Sequence, residues 1–187
     1  FYVDCNANPF RGLYDLSVKA TEQYEAARHT VAELIHAPED GDIIFTRNAT
    51  ESLNLLAYSF GNLVLQPGDE ILISTAEHHS NMLPWRAAAE RHGATVSYLD
   101  MDQTGEITPE MLQEKLTGRT KIFAVAQVSN IFGRENRIKE FAALCHANGT
   151  YLVCDGAQSV PHMAVDVTDL DVDFLAFSGH KMLAPMG

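Results

Sequence analysis

The chain has 187 residues, of which 46% are hydrophobic, and its formal net charge is −12. That apolar content suffices for one sizeable core, and the acidic balance argues against nucleic acid or an anionic membrane as the main partner. No apolar run is long enough to span a bilayer, and no secretory signal is evident. The odd count of widely spaced cysteines and the absence of zinc-type Cys/His spacing predict a reduced, cytoplasmic protein without a metal site.

The first part of the chain reads as an arm followed by a helix. Residues 1–16 are irregular, and residues 17–36 carry apolar side chains at helical spacing. Proline and glycine in 38–41 end this helix. We therefore predict two parts, an N-terminal arm and helix over 1–40 and a larger domain over 41–187.

Six strand-like runs come next, most of them continuous and apolar, as buried parallel strands are. They are residues 43–46, 70–74, 95–99, 121–126, 151–154 and 174–177. Helical patterns separate the first five runs, at 50–64, 81–92, 108–116 and 136–148, whereas 156–173 is irregular. This alternation predicts an α/β fold with an open, mostly parallel sheet.

Polar residues collect directly after the strands. In open parallel sheets ligands bind at the carboxyl ends of the strands, so these residues are the candidate site. The segments concerned are 47–51, 76–79, 127–130, 155–158 and 178–181.

Lys181 lies just past the last apolar run, in a turn bounded by Gly179 and Pro185. An amine at the end of a buried strand would be poorly solvated, and desolvation favours the neutral form that attacks a carbonyl to give a Schiff base. The alternative interpretation is a solvated lysine in a surface turn.

Two other segments could bind opposite ends of a flat anionic ligand. Asn48-Ala49-Thr50 stands where a helix begins, and a helix N-terminus favours a phosphate, although the segment taken alone favours an ordinary N-cap. Asp155 follows an apolar strand, and a buried carboxylate needs a partner such as a protonated pyridine nitrogen; a turn cap is the alternative.

Side chains nearby could complete the contacts. Gln158 could turn back toward the ligand of Asp155, and His78 could stack on a flat heteroaromatic ring. Ser178 and His180 flank Lys181 and could donate to a phosphate. Asn130 could bond a cofactor oxygen or a substrate carboxylate.

Taken together, these motifs resemble a known family. The chain is similar to the large domain of the fold-type I pyridoxal phosphate (PLP) enzymes, class V aminotransferase branch, and most of all to SUF-type cysteine desulfurases and selenocysteine lyases. The motifs are 47–51, Glu77-His78-His79-Ser80-Asn81 with Pro84-Trp85, 128–130, 155–158 and 178–181, together with Arg11-Gly12.

The resemblance implies a three-layer α/β/α fold and a role for each candidate residue. Lys181 would form the Schiff base with PLP and then move the substrate α-proton, and Asp155 would pair with the ring nitrogen. The other implied contacts are the ring oxygen for Gln158, the ring face for His78, the phosphate for Ala49, Thr50, Ser178 and His180, and the cofactor or substrate for Asn130.

The resemblance also implies what the sequence lacks. Family members add an antiparallel strand and a small C-terminal domain that carries the catalytic cysteine and a substrate-binding arginine. We expect the parent protein to take sulfur from L-cysteine, leaving L-alanine and an enzyme-bound persulfide for a sulfur-acceptor protein, or to act on L-selenocysteine instead. We expect a homodimer, and a fragment of this length to be inactive as a desulfurase. The alternatives are another class V enzyme (aminotransferase, epimerase or kynureninase-like lyase) and an inactive fragment or binding module.

Overall fold

The computed structural model describes residues 1–39 and 42–185. Within them the helices are α1 Asp15–Ile35, α2 Ala49–Val64, α3 Leu83–His92, α4 Pro109–Lys115, α5 Ile138–Asn148 and α6 Val167–Leu170. The strands are β1 Glu70–Ser74, β2 Thr95–Leu99, β3 Thr120–Ala126, β4 Tyr151–Asp155 and β5 Phe174–Ala176. Short 3-10 turns cover His79–Asn81 and Gly179–Lys181.

The chain divides into two compact units, Phe1–Phe45 and Thr46–Gly187. In the first, α1 ends at Ile35, and the next residue, His36, closes the helix with a left-handed φ of 52°. The Arg28 guanidinium lies 5.3 Å from the ring centroids of both Tyr24 and Phe45. Our division at residue 40 falls on Asp40 and Gly41, outside the described residues, and stays a prediction.

The second unit is built on one parallel sheet with the strand order β2-β1-β3-β4-β5. All four strand pairs are parallel, and consecutive strands of the chain are joined by crossover connections. The predicted α/β fold with a parallel sheet is thereby confirmed. Because the strands are parallel, their carboxyl ends meet at one edge, which puts the residues just past them within reach of one another.

Helices cover both faces of this sheet, giving three layers. One face packs alternate strand residues, such as Ile71 and Val153, against α2 and α3. The opposite face packs Leu72 and Leu152 against α4 and α5. Both faces are buried, which explains why the strands read as continuous apolar runs.

Local sequence signals set most of the helix ends. The Asn48 side chain caps α2 by accepting from the Glu51 N–H at 3.0 Å. Thr108 caps α4, with Pro109 in its first turn. Gly93 and Gly149 end α3 and α5 at φ of 66° and 72°, in the left-handed region that favours glycine.

Two predicted segments are wrong in detail. Residues 43–46 form no strand, since within the described residues they pair with no other strand, and an extended segment without a ladder partner gains no strand hydrogen bonds. The stretch 156–173 is not wholly irregular, because Asp166 caps the four-residue helix α6 by accepting from the N–H groups of Thr168 and Asp169.

No helix among the described residues is both long and apolar enough to cross a membrane.

Candidate cofactor site

Asp155 is the last residue of β4, and only 4% of it is exposed. Its Oδ1 accepts a hydrogen bond from the Ala157 N–H at 2.9 Å, while its Oδ2 meets no donor among the described residues. Burial raises the pKa of this carboxyl, and the Ala157 N–H and the charges of Lys181 and His78 lower it. The turn-cap role therefore occupies one oxygen and leaves the other to a ligand.

A hydrogen bond joins the start of α2 to the segment after β5. The Ala49 N–H donates to the Ser178 Oγ at 2.9 Å, across 129 residues of sequence. Ser178 is 3% exposed, so this bond is shielded from water. Because the Ser178 oxygen accepts from Ala49, its own hydrogen is left to point elsewhere, and it can donate to an anion at this helix end.

The next residue of α2 completes the donor set there. Thr50 is exposed, and among the described residues neither its N–H nor its hydroxyl has a hydrogen-bond partner. The first N–H groups of a 16-residue helix carry partial positive charge and favour an anion. The Ala49 N–H is already bonded, so a direct contact of Ala49 with a phosphate stays a prediction.

His78 lies in the connection between β1 and α3. Its Nδ1 accepts from the Ser80 N–H at 3.2 Å and contacts the Ser80 Oγ at 2.8 Å, which fixes the ring at the head of the 3-10 turn. The ring is exposed, and a positive charge on it would lower the pKa of Asp155. The structure therefore brings His78, Lys181 and Asp155 into one region, while stacking of His78 on a ring stays a prediction.

Lys181 differs from what its sequence position predicts. It lies in the 3-10 turn after β5 and is exposed, not desolvated. The strand β5 has only three residues, and Leu183, Ala184 and Pro185 beyond the turn are themselves exposed. Nothing among the described residues therefore packs over the lysine, and the expectation of a buried amine is wrong.

The remaining predicted residues lie on turns after the strands. Gln158 is half-buried, three positions past Asp155, and its carbonyl accepts from His162 Nδ1 at 2.7 Å. His180 is exposed beside Lys181. Asn130 is exposed in the turn after β3, beside the bridge between Val128 and Glu135. Their contacts with a ligand stay predictions.

Sequence reasoning gave no role to Glu77, the most elaborately bonded side chain of this edge. Its carboxyl accepts three hydrogen bonds, from groups at the ends of β1 and β3 and from Asn81 in the 3-10 turn before α3. The spacing of the residues could have indicated this role. Glu77, Asn81 and Trp85 stand four residues apart and are linked in a chain by hydrogen bonds.

We expect Ser178→Ala to lower the free energy of unfolding by about 1–2 kcal/mol, because it leaves the Ala49 N–H buried without an acceptor. The control variant is Ser59→Ala, because Ser59 is an exposed serine of α2, the helix that Ala49 begins. This substitution should change the free energy of unfolding by less than about 0.5 kcal/mol. Urea unfolding of both variants measures the difference. Equal stabilities would show that the Ala49–Ser178 bond contributes nothing.

Comparison with known proteins places this arrangement among relatives. The model of the family described as aminotransferase class-V matches residues 1–187. A probable cysteine desulfurase of Halalkalibacterium halodurans is 45% identical over 187 residues, which are all of this chain and 46% of that protein. The chain spans less than half the length of this relative.

Two solved structures share the fold. The cysteine desulfurase CsdA of Escherichia coli aligns with a TM-score of 0.90 and 40% identity, over all of this chain and 47% of that one. The apo cysteine desulfurase of Thermococcus onnurineus aligns with a TM-score of 0.94 and 38% identity, over all of this chain and 46% of that one. The strand ends described above thus belong to a fold that these enzymes share.

Proposed function

Because this chain belongs to the aminotransferase class V family, we propose that it forms the PLP-binding large domain of a cysteine desulfurase. Members of the family and the desulfurases similar to this chain depend on PLP. Residues 41–187 would hold the cofactor, and residues 1–40 would form the N-terminal arm and helix. The observation that carries the proposal is the buried carboxyl of Asp155, on which the charges of Lys181 and His78 both act.

The residues present fit PLP at both ends of the molecule. A protonated ring nitrogen is a donor with positive charge, which suits the unbonded Oδ2 of Asp155. A phosphate is an acceptor with negative charge, which suits the Thr50 N–H and hydroxyl and the Ser178 hydroxyl at the start of α2. The opposite charges of these two ends match the opposite charges of the cofactor.

Each candidate residue has a task in this proposal. Lys181, an exposed amine on a short turn, would hold the cofactor covalently and would carry the proton to and from the substrate Cα. Asp155 keeps the ring nitrogen protonated, so that the bound PLP supplies an electron sink for the substrate. The remaining contacts are the ring face for His78, the ring oxygen for Gln158, the phosphate for Ala49, Thr50, Ser178 and His180, and a cofactor or substrate oxygen for Asn130.

The three cysteines of the chain are poor candidates for the sulfur-accepting nucleophile. Burial raises the pKa of Cys145 to about 12 and that of Cys154 well above its ordinary value, so little thiolate forms at neutral pH. Cys5 is 1% exposed and donates its S–H to Gln23. We propose that the nucleophile lies in a part of the full-length protein outside these 187 residues.

The proposal extends to partners and compartment. We infer that the full-length protein takes sulfur from L-cysteine, with L-selenocysteine as a second substrate, and passes it to an acceptor protein. A homodimer is supported by apolar side chains that stand exposed in the first unit, among them Val3 at 95% and Leu13 at 101%. A cytoplasmic location is supported by three free thiols.

The test is a titration of the full-length native protein with PLP, followed by L-cysteine. We expect a visible absorbance band that saturates with PLP, and then release of L-alanine and of sulfide in the presence of a thiol reductant. A saturating band without L-alanine would contradict the desulfurase assignment and favour another class V reaction. A protein that takes up no PLP would contradict the cofactor site itself.

A further inference from the structure

Three hydrogen-bond donors from separate segments converge on the carboxyl of Glu77. The Ser74 Oγ at the end of β1 and the Ala126 N–H at the end of β3 both reach Oε1 at 2.8 Å. The Asn81 Nδ2 reaches Oε2 at 2.6 Å. Glu77 is 8% exposed, so this carboxyl ties the ends of two central strands to the turn that precedes α3. His78 is the next residue along that turn.

The direction of these bonds is fixed by a donor that cannot accept. The Trp85 indole only donates, and its Nε1–H bonds the Asn81 Oδ1 at 3.1 Å. Asn81 must therefore present its NH₂ group to Glu77, and the Ala126 N–H is also a donor only. Both carboxyl oxygens of Glu77 are held as acceptors, which is the arrangement that suits an ionised carboxylate.

Burial opposes this arrangement. The pKa of Glu77 is raised to about 7, mainly by desolvation and to a smaller extent by the Asp155 carboxylate, while its three hydrogen bonds lower it. The charge of Glu77 in turn raises the pKa of Cys154. The titratable groups that act on this carboxyl are thus Asp155 and Cys154 of β4, with Lys181 and His78 acting on Asp155. Glu77 changes its charge near neutral pH, and its charge is coupled to that of Asp155.

We propose that Glu77 is a positioning residue of the PLP site, which ties β1 and β3 to the His78 turn and adds a second negative charge to that of Asp155. This inference rests on the proposed function. A second buried negative charge in this region favours a cation at Asp155, and the protonated ring nitrogen of PLP is that cation. PLP should therefore bind more tightly as Glu77 ionises.

The test compares PLP affinity at about pH 6 and pH 8 in the full-length native protein and its Glu77→Gln variant. At pH 6 Glu77 is mostly protonated, so the two proteins should differ only by the effect of the altered hydrogen bond to Asn81. At pH 8 Glu77 is mostly ionised, so the variant also lacks the second negative charge and should bind more weakly than at pH 6, by about tenfold relative to the wild type. Equal weakening at both pH values would overturn the proposal, because a purely structural role does not depend on the charge.

A double variant restores both the hydrogen bonds and one negative charge. In the Glu77→Gln variant, the NH₂ group of the new glutamine faces the NH₂ group of Asn81. When Asn81→Asp is added, the carboxylate at position 81 accepts hydrogen bonds both from the glutamine NH₂ group and from the Trp85 indole. We expect the double variant to regain the wild-type melting temperature and most of the PLP affinity at pH 8. A double variant that stays unfolded, or folds without regaining affinity, would overturn the proposal. A wild-type protein that binds no PLP would instead overturn the proposed function.

Discussion

Lys181→Ala is expected to abolish the covalent attachment of PLP completely. With the amine gone, borohydride treatment should leave no cofactor bound after denaturation, because no Schiff base exists to be reduced. L-Cysteine turnover by the full-length protein should fall by about 10³-fold or more, since the residue that moves the substrate proton is lost as well. The fold should be retained, because the lysine side chain is exposed and supports no packing.

Lys139→Ala is the matched control for this experiment. Lys139 is also exposed and pairs with Asp169 at the surface, a contact worth at most about 1 kcal/mol. The control should keep its full borohydride-fixed cofactor and its turnover. If the Lys181 variant still retained reducible PLP, another amine would be the anchor and the assignment of Lys181 would be wrong.

Asp155→Asn is expected to move stability and cofactor binding in opposite directions. The pKa of Asp155 is raised in the folded protein, so its ionisation costs stability, and that cost grows as the pH rises through the folded pKa. An amide keeps an oxygen to accept from the Ala157 N–H and carries no charge. The unliganded variant should therefore melt at a higher temperature than the wild type at neutral pH.

The same substitution should weaken PLP binding on the order of a hundredfold. It removes the charged partner of the ring nitrogen, and loss of one member of a buried charge pair costs about 3 kcal/mol. The control is Asp173→Asn. Asp173 directly precedes β5, at the amino ends of the strands and therefore away from the proposed site, so this substitution should leave PLP affinity unchanged. A variant at Asp155 that bound PLP as tightly as the wild type would show that the ring nitrogen does not face this carboxyl.

Much of the fold could be predicted because both faces of the sheet are buried. Burial on two sides requires continuous apolar runs, and β1 and β2 were predicted with the bounds that the structure gives. The strand ends then located the candidate residues, because parallel strands bring the residues just past their carboxyl ends to one edge of the sheet. The contact of Ala49 with Ser178 is not explained in this way, because Ser178 follows β5 but no strand among the described residues precedes Ala49.

The errors lie where structure depends on distant partners. Residues 43–46 have the composition of a strand, but a strand also needs a neighbour, which local sequence does not reveal. The exposure of Lys181 depends on what packs over its turn, and the preceding apolar run carries no information about that. The role of Glu77 depends on a donor 49 residues away, the Ala126 N–H, as well as on the nearby Ser74 hydroxyl, and local sequence shows only the second of these.

The most direct test of the central claim is a crystal structure of the full-length native protein grown with PLP. We predict that the ring nitrogen lies about 3 Å from the Asp155 Oδ2, that the phosphate contacts Thr50 and Ser178 at the start of α2, and that the covalent link runs to Lys181. Cofactor bound at any other lysine, or a ring whose nitrogen lies away from Asp155, would contradict it.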